Sequence, residues 1–507
     1  MTPIVIPPSM IRAANVAALT TAALTLLLLG LRGTSIISLN VPLHVVTSGY
    51  EQESLLAIWE RINGRAVYVS RWDEPFRWAI YNWLYYEAYS AIVASILYGL
   101  SLSDQWLPTI SRSISFLGAF SATLLAYRAF GLARNERAND NVQRAALSIF
   151  VGVGPLVGYW SLTTRPDIWA TALEITAVVV FLYNRKSRPI LALFLFCIIS
   201  YAAWAFKQSN VTAVAAIGGL LFLRMQWRDL LILVVSMVSA WAATLALGSE
   251  TFRVSVLILE YQTNVSFSNS LRIIFAVLPK VLPLAFGIGA IAVLLVIKPQ
   301  IRHVVLNDDV VVLAALGFGA GAALAFLTSA QPGAAENYYF TTAFFAAFFI
   351  YAAIGRIREH SEIFCNTTWM AVGVGWGLQA LALAAVLFGV IGTTSLRHFD
   401  AYHREIKGCL DALPRPLFVD NHYLSLPWMS PGNPSYVLAF GYAQDRISGR
   451  EHYKGNGIGG KIARQEFATL VFTNPPGQSY DGASLSGYKS LESSCKELYV
   501  FQRRTDS

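Results

Sequence analysis

The chain has 507 residues, of which 55% are hydrophobic and only 13% are charged. The charged fraction is about half that of a soluble domain, too low to cover the surfaces of the several domains expected for a soluble protein of this length. The composition therefore excludes an ordinary soluble protein and an intrinsically disordered chain, and it predicts a polytopic membrane protein.

Apolar segments follow one another along most of the chain. A membrane-spanning helix needs about 20 apolar residues, and on that basis we predict about eleven spans. The first lacks a signal-peptide cleavage site, so we expect it to remain as an anchor. The predicted spans are residues 13–31, 111–130, 145–163, 168–183, 189–206, 209–223, 230–247, 277–297, 309–327, 339–354 and 366–391.

Basic residues occupy alternate loops between these spans. The formal net charge of +8 is compatible with nucleic-acid binding, but basic loops on the cytoplasmic side explain it equally well. We therefore expect a cytoplasmic N-terminus and an external tail. The basic residues of these loops are Arg128, Arg134, Arg137, Arg144, Arg185, Lys186, Arg188, Arg224, Arg228, Lys298, Arg302, Arg356 and Arg358.

Residues 84–103 are nearly apolar enough to form a further span. If they crossed the membrane, every later loop would change sides and the basic loops would face outward, against the usual rule. We therefore predict a helix that lies in, or dips into, the outer leaflet.

The first external loop, residues 32–108, combines carboxylates with aromatic residues in the runs 49–53 (GYEQE), 72–75 (WDEP) and 81–86 (YNWLYY). Loops of this length are usually functional or disordered, and the aromatic content argues against disorder. Residues 53–62 have apolar residues at helical spacing, which predicts an amphipathic helix on the membrane surface.

Further polar motifs fall on the same outer side. Residues 164–167 (TRPD) precede a span, Lys207 and Gln208 form the turn between two short spans, and residues 336–339 (ENYY) open a later span. Arg112 lies at the outer rim as well.

Each motif also has a structural interpretation. Arg165 and Asp167 are more often a structural ion pair at a helix end, and Lys207 can extend to lipid phosphates. Glu174 follows Asp167 by seven residues and lies on the same face of the predicted helix. It is a functional candidate because of its depth, but it can also pair with a neighbouring helix. The concentration of acids, cations and aromatic residues at one face favours a functional site.

Such a set of residues suits the transfer of a sugar from a lipid phosphate to a hydroxyl group at the membrane surface. A carboxylate acts as general base, cations neutralise the departing phosphate, and aromatic rings stack on sugar faces. The activated donor supplies the energy, because no nucleotide is expected outside the cytoplasm.

In these residues the chain resembles the GT-C superfamily of polyprenyl-phosphate-sugar-dependent glycosyltransferases. It is most similar to the bacterial branch of protein O-mannosyltransferases and the lipid A aminoarabinose transferase. The matching segments, from residue 13 to about residue 345, are GYEQESLLAIWERINGRAVY, a later Pro with YNWLYY, TRPD, the KQS turn and ENYYF. The resemblance implies an all-α bundle in the bacterial inner membrane and an inverting sugar transfer on its outer face.

The resemblance also implies which carboxylates are catalytic. The acid of the first external loop corresponds to Glu51, with Glu53 as the alternative, because many relatives have Asp-Glu where this chain has Glu51-Gln52. Asp167 corresponds to an acid of the second external loop that orients the acceptor or the base.

Substrate-binding roles follow in the same way. Arg165 and Lys207 are expected to hold the lipid-linked phosphate, with Arg112 as a weaker candidate. The other predicted substrate-binding residues are Gln208, Asp73, Tyr81, Asn82, Glu336, Asn337 and Tyr338.

The expected partners are a polyprenyl-phosphate-linked sugar donor, a glycan, lipid or protein acceptor, and membrane lipids, with no nucleic acid. We expect no cofactor. Some members of the family use a divalent metal and others do not, and the seven histidines have no spacing typical of a zinc site.

Residues 1–391 are predicted to form the transmembrane domain and residues 392–507 a small external α/β domain. The runs PLFVDN, FATLVFT and ELYVFQ predict strands in this tail. Cys409 and Cys495 both fall there, and we expect a disulfide because an external compartment is oxidising. Asp420 and His422 are candidates for acceptor binding, with a structural role as the alternative.

Residues 455–461 (GNGIGGK) resemble part of a phosphate-binding loop. Ile462 replaces the required Ser or Thr, and no strand is predicted before the loop, so we predict a flexible glycine loop instead.

The leading hypothesis is a membrane glycosyltransferase. A transporter or flippase of a lipid-linked saccharide is the alternative, although such proteins usually have internal repeats and polar residues at mid-membrane depth. A polymerase or ligase of surface polysaccharides and a non-catalytic scaffold are further alternatives.

Overall fold

The computed structural model describes most of the chain, including all the predicted spans. The described residues are 8–39, 50–74, 76, 79–133, 141–257, 265–331, 334–392, 406, 408–420, 427–428, 442, 452–491, 495 and 498–504. His422 lies outside them.

Helices form over the apolar runs and begin at capping or helix-starting residues. Asp308 accepts hydrogen bonds from two backbone N–H groups of the following turn, and prolines stand at the first turn of several helices. The helices are α1 Pro8–Ile36, α2 Tyr50–Ile62, α3 Trp83–Gly99, α4 Leu107–Leu132, α5 Asn141–Val153, α6 Asp167–Asn184, α7 Pro189–Phe206, α8 Thr212–Leu223, α9 Trp227–Leu247, α10 Glu250–Leu257, α11 Phe267–Val277, α12 Leu282–Ile297, α13 Pro299–Asn307, α14 Asp309–Thr328, α15 Phe340–His360, α16 Glu362–Gly392 and α17 Gly457–Ala463. Short 3₁₀ helices are Asp104–Trp106, Gly158–Leu162, Leu278–Lys280, Glu336–Tyr339 and Lys454–Asn456.

The predicted all-α membrane bundle is confirmed, but the count of eleven spans is not. Within the described ranges, 8 helices are long and apolar enough to cross a membrane, or 9 if the bent pair of α11 and α12 is one span. The predicted span 209–223 contains α8, which has 12 residues, and the predicted span 145–163 overlaps α5, which has 13 residues and ends at Val153. Helix α3 has 17 residues and is not among the candidate spans; its place in the outer leaflet stays a prediction.

Ion pairs join several of the loops that contain basic residues. Asp309 at the start of α14 pairs with Arg185 after α6 and with Arg224 after α8, whose Nε lies 2.7 Å away. Asp308 pairs with Arg356 of α15 at 2.6 Å. These contacts place three of the basic loops at one end of the bundle, as their alternation along the chain predicts.

Helix α15 lies at the centre of the bundle. Its sequence is rich in Phe and Ala, and 94% of its most apolar stretch is buried inside the protein. This is expected for a helix that is apolar on every face. It packs against α14, α16 and α12, and Phe344 stacks on Phe130 of α4 with ring centroids 6.2 Å apart. This central helix fixes the position of the Glu336–Tyr339 turn that precedes it.

The first loop folds against the bundle. Residues 53–62 are helical as predicted, within α2, but Glu51 to Glu60 are all buried, so the predicted place on the membrane surface is wrong. The apolar face of α2 packs against α3 and α4, while Glu51 on its polar face meets Arg112 of α4. An amphipathic pattern shows only that the two faces of a helix meet different environments. Other parts of the protein cover both faces of α2.

A short segment of this loop, residues 71–76, packs against the C-terminal part of the chain. The ring of Trp72 lies 5.2 Å from that of Tyr453, and Phe76 is buried in the same small core, 5.8 Å from Tyr442. The backbone N–H of Lys454 donates to the Trp72 carbonyl at 2.9 Å.

The C-terminal part contains a four-stranded sheet in the order β1-β2-β6-β5, in which β1 and β2 are parallel and the other pairs antiparallel. The runs PLFVDN, FATLVFT and ELYVFQ form β1, β2 and β6, as predicted. A domain boundary at residue 391 stays a prediction. The strands are β1 Leu417–Asp420, β2 Thr469–Phe472, β3 Ser479–Tyr480, β4 Ala483–Ser484, β5 Tyr488–Leu491 and β6 Tyr499–Arg503.

The expected disulfide between Cys409 and Cys495 is present, with the Cα atoms 5.6 Å apart. Asp420 accepts a hydrogen bond from the Tyr480 hydroxyl at 2.9 Å, a contact within the C-terminal part. The GNGIGGK run is not the flexible loop that we predicted, because residues 457–463 form α17 and are buried from Gly457 to Ile462. A 3₁₀ helix, not a strand, precedes α17, and Lys461 pairs with Glu74 at 2.8 Å and Glu466 at 2.7 Å. The lysine of this run is therefore engaged by carboxylates.

Candidate active site

A cluster of charged side chains lies at the end of the bundle opposite the basic loops. At its centre is Asp167, the first residue of α6, which is 2% exposed. Its carboxylate accepts from the Arg165 Nε at 3.0 Å, from the Lys207 ammonium and from the Asn337 side-chain amide. TRPD, the KQS turn and ENYYF thus meet at one carboxylate, as predicted.

Local structure explains how three segments reach Asp167. Pro166 stops the preceding chain from being helical and starts α6. Lys207 follows the last residue of α7 in an extended conformation, so its side chain turns away from that helix. Asn337 is held in the 3₁₀ turn before the central helix α15.

Aromatic rings cover the two cations. The Arg165 guanidinium lies 4.6 Å from the ring centroid of Trp160, 5.2 Å from that of Tyr50 and 5.7 Å from that of Tyr81. The Lys207 ammonium lies 4.5 Å from the ring of Tyr338. Such contacts stabilise a cation where water is scarce.

A second buried ion pair adjoins the cluster. Both oxygens of Glu51 accept from Arg112, at 3.0 Å from Nε and 2.9 Å from a terminal nitrogen, and both residues are 0% exposed. Glu51 also accepts from the backbone N–H of Thr164 at 2.9 Å, next to Arg165. Arg112 donates further to the carbonyls of Ile36 and Leu39, so this pair ties α1, α2, α4 and the TRPD segment together.

Several buried polar atoms around the cluster have no hydrogen-bond partner within the described part of the chain. They include the Tyr81 hydroxyl, the Asn337 side-chain oxygen, the Thr164 hydroxyl and the Gln208 side-chain oxygen. Buried polar groups are nearly always paired, so these atoms are open to hydrogen bonds from a polar ligand or from water.

A cavity of about 550 Å³ lies against Trp160, the ring that contacts Arg165. Its wall includes Arg32, Arg272 and Lys280, and also Glu336, which pairs with Lys280 at 2.5 Å. Sequence analysis did not identify Arg32, Arg272 or Lys280 as candidate site residues. Lys280 lies inside an apolar run that we assigned to a span, and only the two prolines that flank it, at 279 and 283, indicate the 95° bend.

The other predicted site residues are distributed as follows. Asn82 caps α3 and donates to the Trp204 carbonyl at 3.0 Å, and the Gln208 amide donates to the Ile80 carbonyl at 2.9 Å. Both therefore fix the segment that contains Tyr81.

Glu53 is buried in α2, 7% exposed. Asp73 is not brought to the cluster by any described contact; its carboxylate lies 3.7 Å from the Lys454 ammonium in the C-terminal part.

Burial affects the protonation of two of these groups. It lowers the pKa of Lys207 below its ordinary value; the Asp167 carboxylate opposes this shift and the Arg165 guanidinium adds to it. Burial also raises the pKa of Tyr81 well above its ordinary value, so its phenol keeps the proton as a hydrogen-bond donor.

Glu174 is fully engaged in holding helices together. Its carboxylate accepts from Asn210 at 3.0 Å, from the Ala213 backbone at 2.9 Å and from the Thr341 hydroxyl at 2.7 Å. It connects α6 with the start of α8 and with α15.

The described residues contain no group of three or more His, Cys, Asp or Glu side chains close enough to hold a metal ion. The Asp167 carboxylate contacts two cations and the Glu51 carboxylate contacts one.

The bundle of apolar helices, with its bent pair and the charged cluster at one end, defines a polytopic membrane protein. Two similar solved structures are of ArnT from Cupriavidus metallidurans. The form bound to undecaprenyl phosphate has a TM-score of 0.52 and 11% sequence identity, and the match covers 96% of this chain and 98% of that one. The apo form has a TM-score of 0.51 and 11% sequence identity, and the match covers 92% of this chain and 95% of that one. No protein-family model and no curated protein sequence matches the chain. The likeness confirms the predicted GT-C resemblance at the level of the fold.

Proposed function

We propose that the protein is an integral-membrane glycosyltransferase. In this proposal it moves a sugar from a polyprenyl-phosphate donor to a hydroxyl group of a glycan, lipid or protein acceptor, on the outer face of the membrane. The observation on which the proposal depends is the buried cluster around Asp167, placed at one end of a GT-C bundle.

The charge of the cluster favours a phosphate ligand. Glu51 and Arg112 neutralise each other, whereas Arg165 and Lys207 share the single carboxylate of Asp167. Among the groups in direct ion-pair contact, one positive charge is therefore in excess in a buried site, where an unbalanced charge is costly. Glu174, the next carboxylate, acts on Lys207 only at longer range, and hydrogen bonds from other helices occupy its oxygens. The anionic phosphate of the donor would balance the excess charge, and the Tyr81 hydroxyl and Asn337 amide would offer further hydrogen bonds.

The 550 Å³ cavity suits the rest of the donor headgroup. Three cations and one carboxylate line it, so it also has an excess of positive charge, and Trp160 separates it from Arg165. We propose that the sugar-phosphate lies between this cavity and the cluster. ArnT, which has a similar fold, is a protein whose crystal structure contains undecaprenyl phosphate, and this supports a lipid-phosphate donor.

Glu51 stays our proposed general base, with Glu53 as the alternative and Asp167 as the acid that orients the acceptor or the base. Three described hydrogen bonds already occupy the oxygens of Glu51, so an acceptor hydroxyl has to displace one donor before it can reach them. The Thr164 N–H is the weakest of the three because it has no formal charge. Glu53 lies one residue beyond Gln52 and is also buried.

Two observations support the outer face as the place of reaction. The Cys409–Cys495 disulfide is typical of an oxidising compartment, and the C-terminal part that contains it contacts the first loop. The basic loops lie at the other end of the bundle, which is the end expected in the cytoplasm.

The alternative function is transport of a lipid-linked saccharide. Glu174 was the residue most favourable to it, because an acid at mid-membrane depth often binds a coupling ion. Its three hydrogen bonds instead join helices, and this favours the enzyme over the transporter.

The proposal is tested with purified protein in nanodiscs and a panel of polyprenyl-phosphate sugars, with release of polyprenyl phosphate as the readout. We expect one donor to turn over. Replacement of the true base by its amide should lower kcat by about 10²–10⁴-fold, so Glu51→Gln, Glu53→Gln and Asp167→Asn are compared.

Turnover that is unaffected by Glu51→Gln but abolished by Glu53→Gln would move the base to Glu53. If no donor is cleaved, but lipid-linked saccharide crosses the bilayer of liposomes that contain the protein, the glycosyltransferase proposal fails and the transporter takes its place.

A further inference from the structure

A groove opens on the membrane-facing side of the bundle, between α12 and the first turns of α16. Its volume is about 970 Å³, and it is lined by α12 from Ala285 to Lys298 and by α16 from Ile363 to Ala371. Lys280, at the other end of α12, borders the cavity beside the charged cluster. The α12–α16 groove is therefore separate from the candidate active site and extends toward the opposite end of the bundle.

The groove lies beside the line along which α12 and α16 pack. A Cβ atom on Gly375 of α16 would lie 2.6 Å from the Cα of Pro283, and one on Gly287 would lie 3.0 Å from a methyl carbon of Val372, so the two helices are in close contact along this line. A Cβ atom on Gly289 would meet no atom within 4 Å. Gly289 therefore faces the open space of the groove.

The walls of the groove are apolar and exposed. Val293 is 58% exposed, Ile297 62% and Phe286 39%, and both helices belong to candidate membrane spans. In a bilayer such a crevice cannot stay empty, because its lining atoms would lose their dispersion contacts. Hydrocarbon chains of the lipid are the material that can fill it.

A single cation stands where α12 ends, at one end of the groove. Lys298 directly follows the last residue of α12, and its ammonium lies 5.3 Å from the ring centroid of Phe364 on the opposite wall. Lys298 is the one charged residue in the lining, and it forms no ion pair with a described carboxylate. Basic residues between membrane helices at the cytoplasmic side typically bind anionic lipid headgroups.

We propose that the α12–α16 groove binds one anionic phospholipid, with its acyl chains between α12 and α16 and its phosphate on Lys298. The apolar walls would contact the acyl chains, and the Lys298 ammonium would pair with the anionic headgroup. The proposal does not depend on the proposed glycosyltransferase function, because the groove lies outside that site.

The test is native mass spectrometry of the full-length protein, delipidated in detergent and titrated with phosphatidylglycerol or phosphatidylcholine. We expect one phosphatidylglycerol to be retained, with about fivefold preference over phosphatidylcholine, the contribution of one lysine near an anionic headgroup. Lys298→Ala should remove this preference, and Gly289→Leu should abolish retention of both lipids by filling the groove.

Gly319→Leu is the matched control. Gly319 is also exposed on a membrane helix, and a Cβ atom there likewise meets nothing within 4 Å, so a leucine adds the same apolar volume outside the groove. Equal melting temperatures of the two leucine variants would exclude a general loss of folding.

Three results would overturn the proposal: no retained phospholipid on the unmodified protein, unchanged retention by Gly289→Leu, or equal binding of the two lipids before and after Lys298→Ala. Displacement of the phospholipid by a polyprenyl phosphate at equal concentration would also overturn it, since the groove would then belong to the donor chain.

Discussion

The ammonium of Lys207 and the carboxylate of Asp167 form an ion pair that joins the end of α7 to the start of α6. Both side chains are at most 7% exposed, and the same carboxylate also contacts Arg165 and Asn337. Four polar groups from three segments are thus held together in a place where water cannot screen them. Such an arrangement makes each member sensitive to the loss of another.

We predict an alkaline loss of activity that depends on Lys207. Burial lowers its pKa, so the ammonium loses its proton as pH rises through a value below the roughly 10.4 of an ordinary lysine. Activity should be full below this pKa and fall above it, as measured by the pH profile of kcat/KM. Lys207→Arg should keep reduced activity without the alkaline fall, and an unchanged profile in that variant would rule Lys207 out as the titrating group.

We predict that Tyr81→Phe weakens donor binding without lowering stability. The hydroxyl has no partner among the described residues, so the folded protein loses no hydrogen bond with it. A bond to a charged phosphate contributes about 1.5–3 kcal/mol, equivalent to about a ten- to hundredfold rise in the KM for the donor. Steady-state kinetics at varied donor concentration measure it, with Tyr85→Phe as the control. The Tyr85 hydroxyl already donates to the Thr164 carbonyl, so this control should instead lower the melting temperature.

Loss of one partner of the Glu51–Arg112 pair should strongly destabilise the protein. Arg112→Met leaves a buried carboxylate without its cation, which typically costs about 3–5 kcal/mol. The double variant Glu51→Leu and Arg112→Met should recover much of this stability. Denaturant unfolding in detergent completes the cycle; additive effects of the two substitutions would mean that the pair is not coupled.

Glu174→Gln should affect stability more than turnover. The amide can accept only part of the three hydrogen bonds that the carboxylate accepts, and an unmade buried bond costs about 1–3 kcal/mol. Melting temperature and polyprenyl phosphate release are measured on the same preparation. A stable variant that has lost all activity would instead assign Glu174 to the chemistry.

Phe76→Ala should loosen the contact between the first loop and the C-terminal part. Phe76 is 5% exposed, and truncation of a buried phenylalanine costs about 3–5 kcal/mol. Limited proteolysis of the first loop should become faster. Asp73→Asn is the control, because an exposed pair such as Asp73–Lys454 contributes at most about 1 kcal/mol. Equal proteolysis of the two variants would argue against packing by Phe76.

Much of the candidate site follows from the sequence. TRPD, Lys207 and Asn337 each stand at the end of an apolar run, and the ends of alternate spans must meet at one side of a membrane. That rule alone places Arg165, Asp167 and Lys207 on the same side of the membrane. It does not select partners, so the bidentate contact between Glu51 and Arg112, which are 61 residues apart, could not be derived.

The cations of the cavity were missed for a different reason. Arg32 and Arg272 look like isolated charges at the ends of apolar helices, and Lys280 is hidden in a run that reads as one straight span. Their convergence depends on the 95° bend between α11 and α12, a tertiary feature. The burial of α2 could not be predicted either, because its apolar stripe is equally compatible with a lipid surface and with a protein surface.

The contact between Trp72 and Tyr453 has a consequence for biosynthesis. Nearly four hundred residues separate the two rings, so the ribosome finishes the first loop long before its partner exists. Until the last strands are made, Trp72 and Phe76 stay without their packing partners, although Asn82 and Gln208 already hold the following segment that contains Tyr81. A nascent chain stalled shortly before its end should therefore be inserted in the membrane with the segment around Trp72 still open to protease.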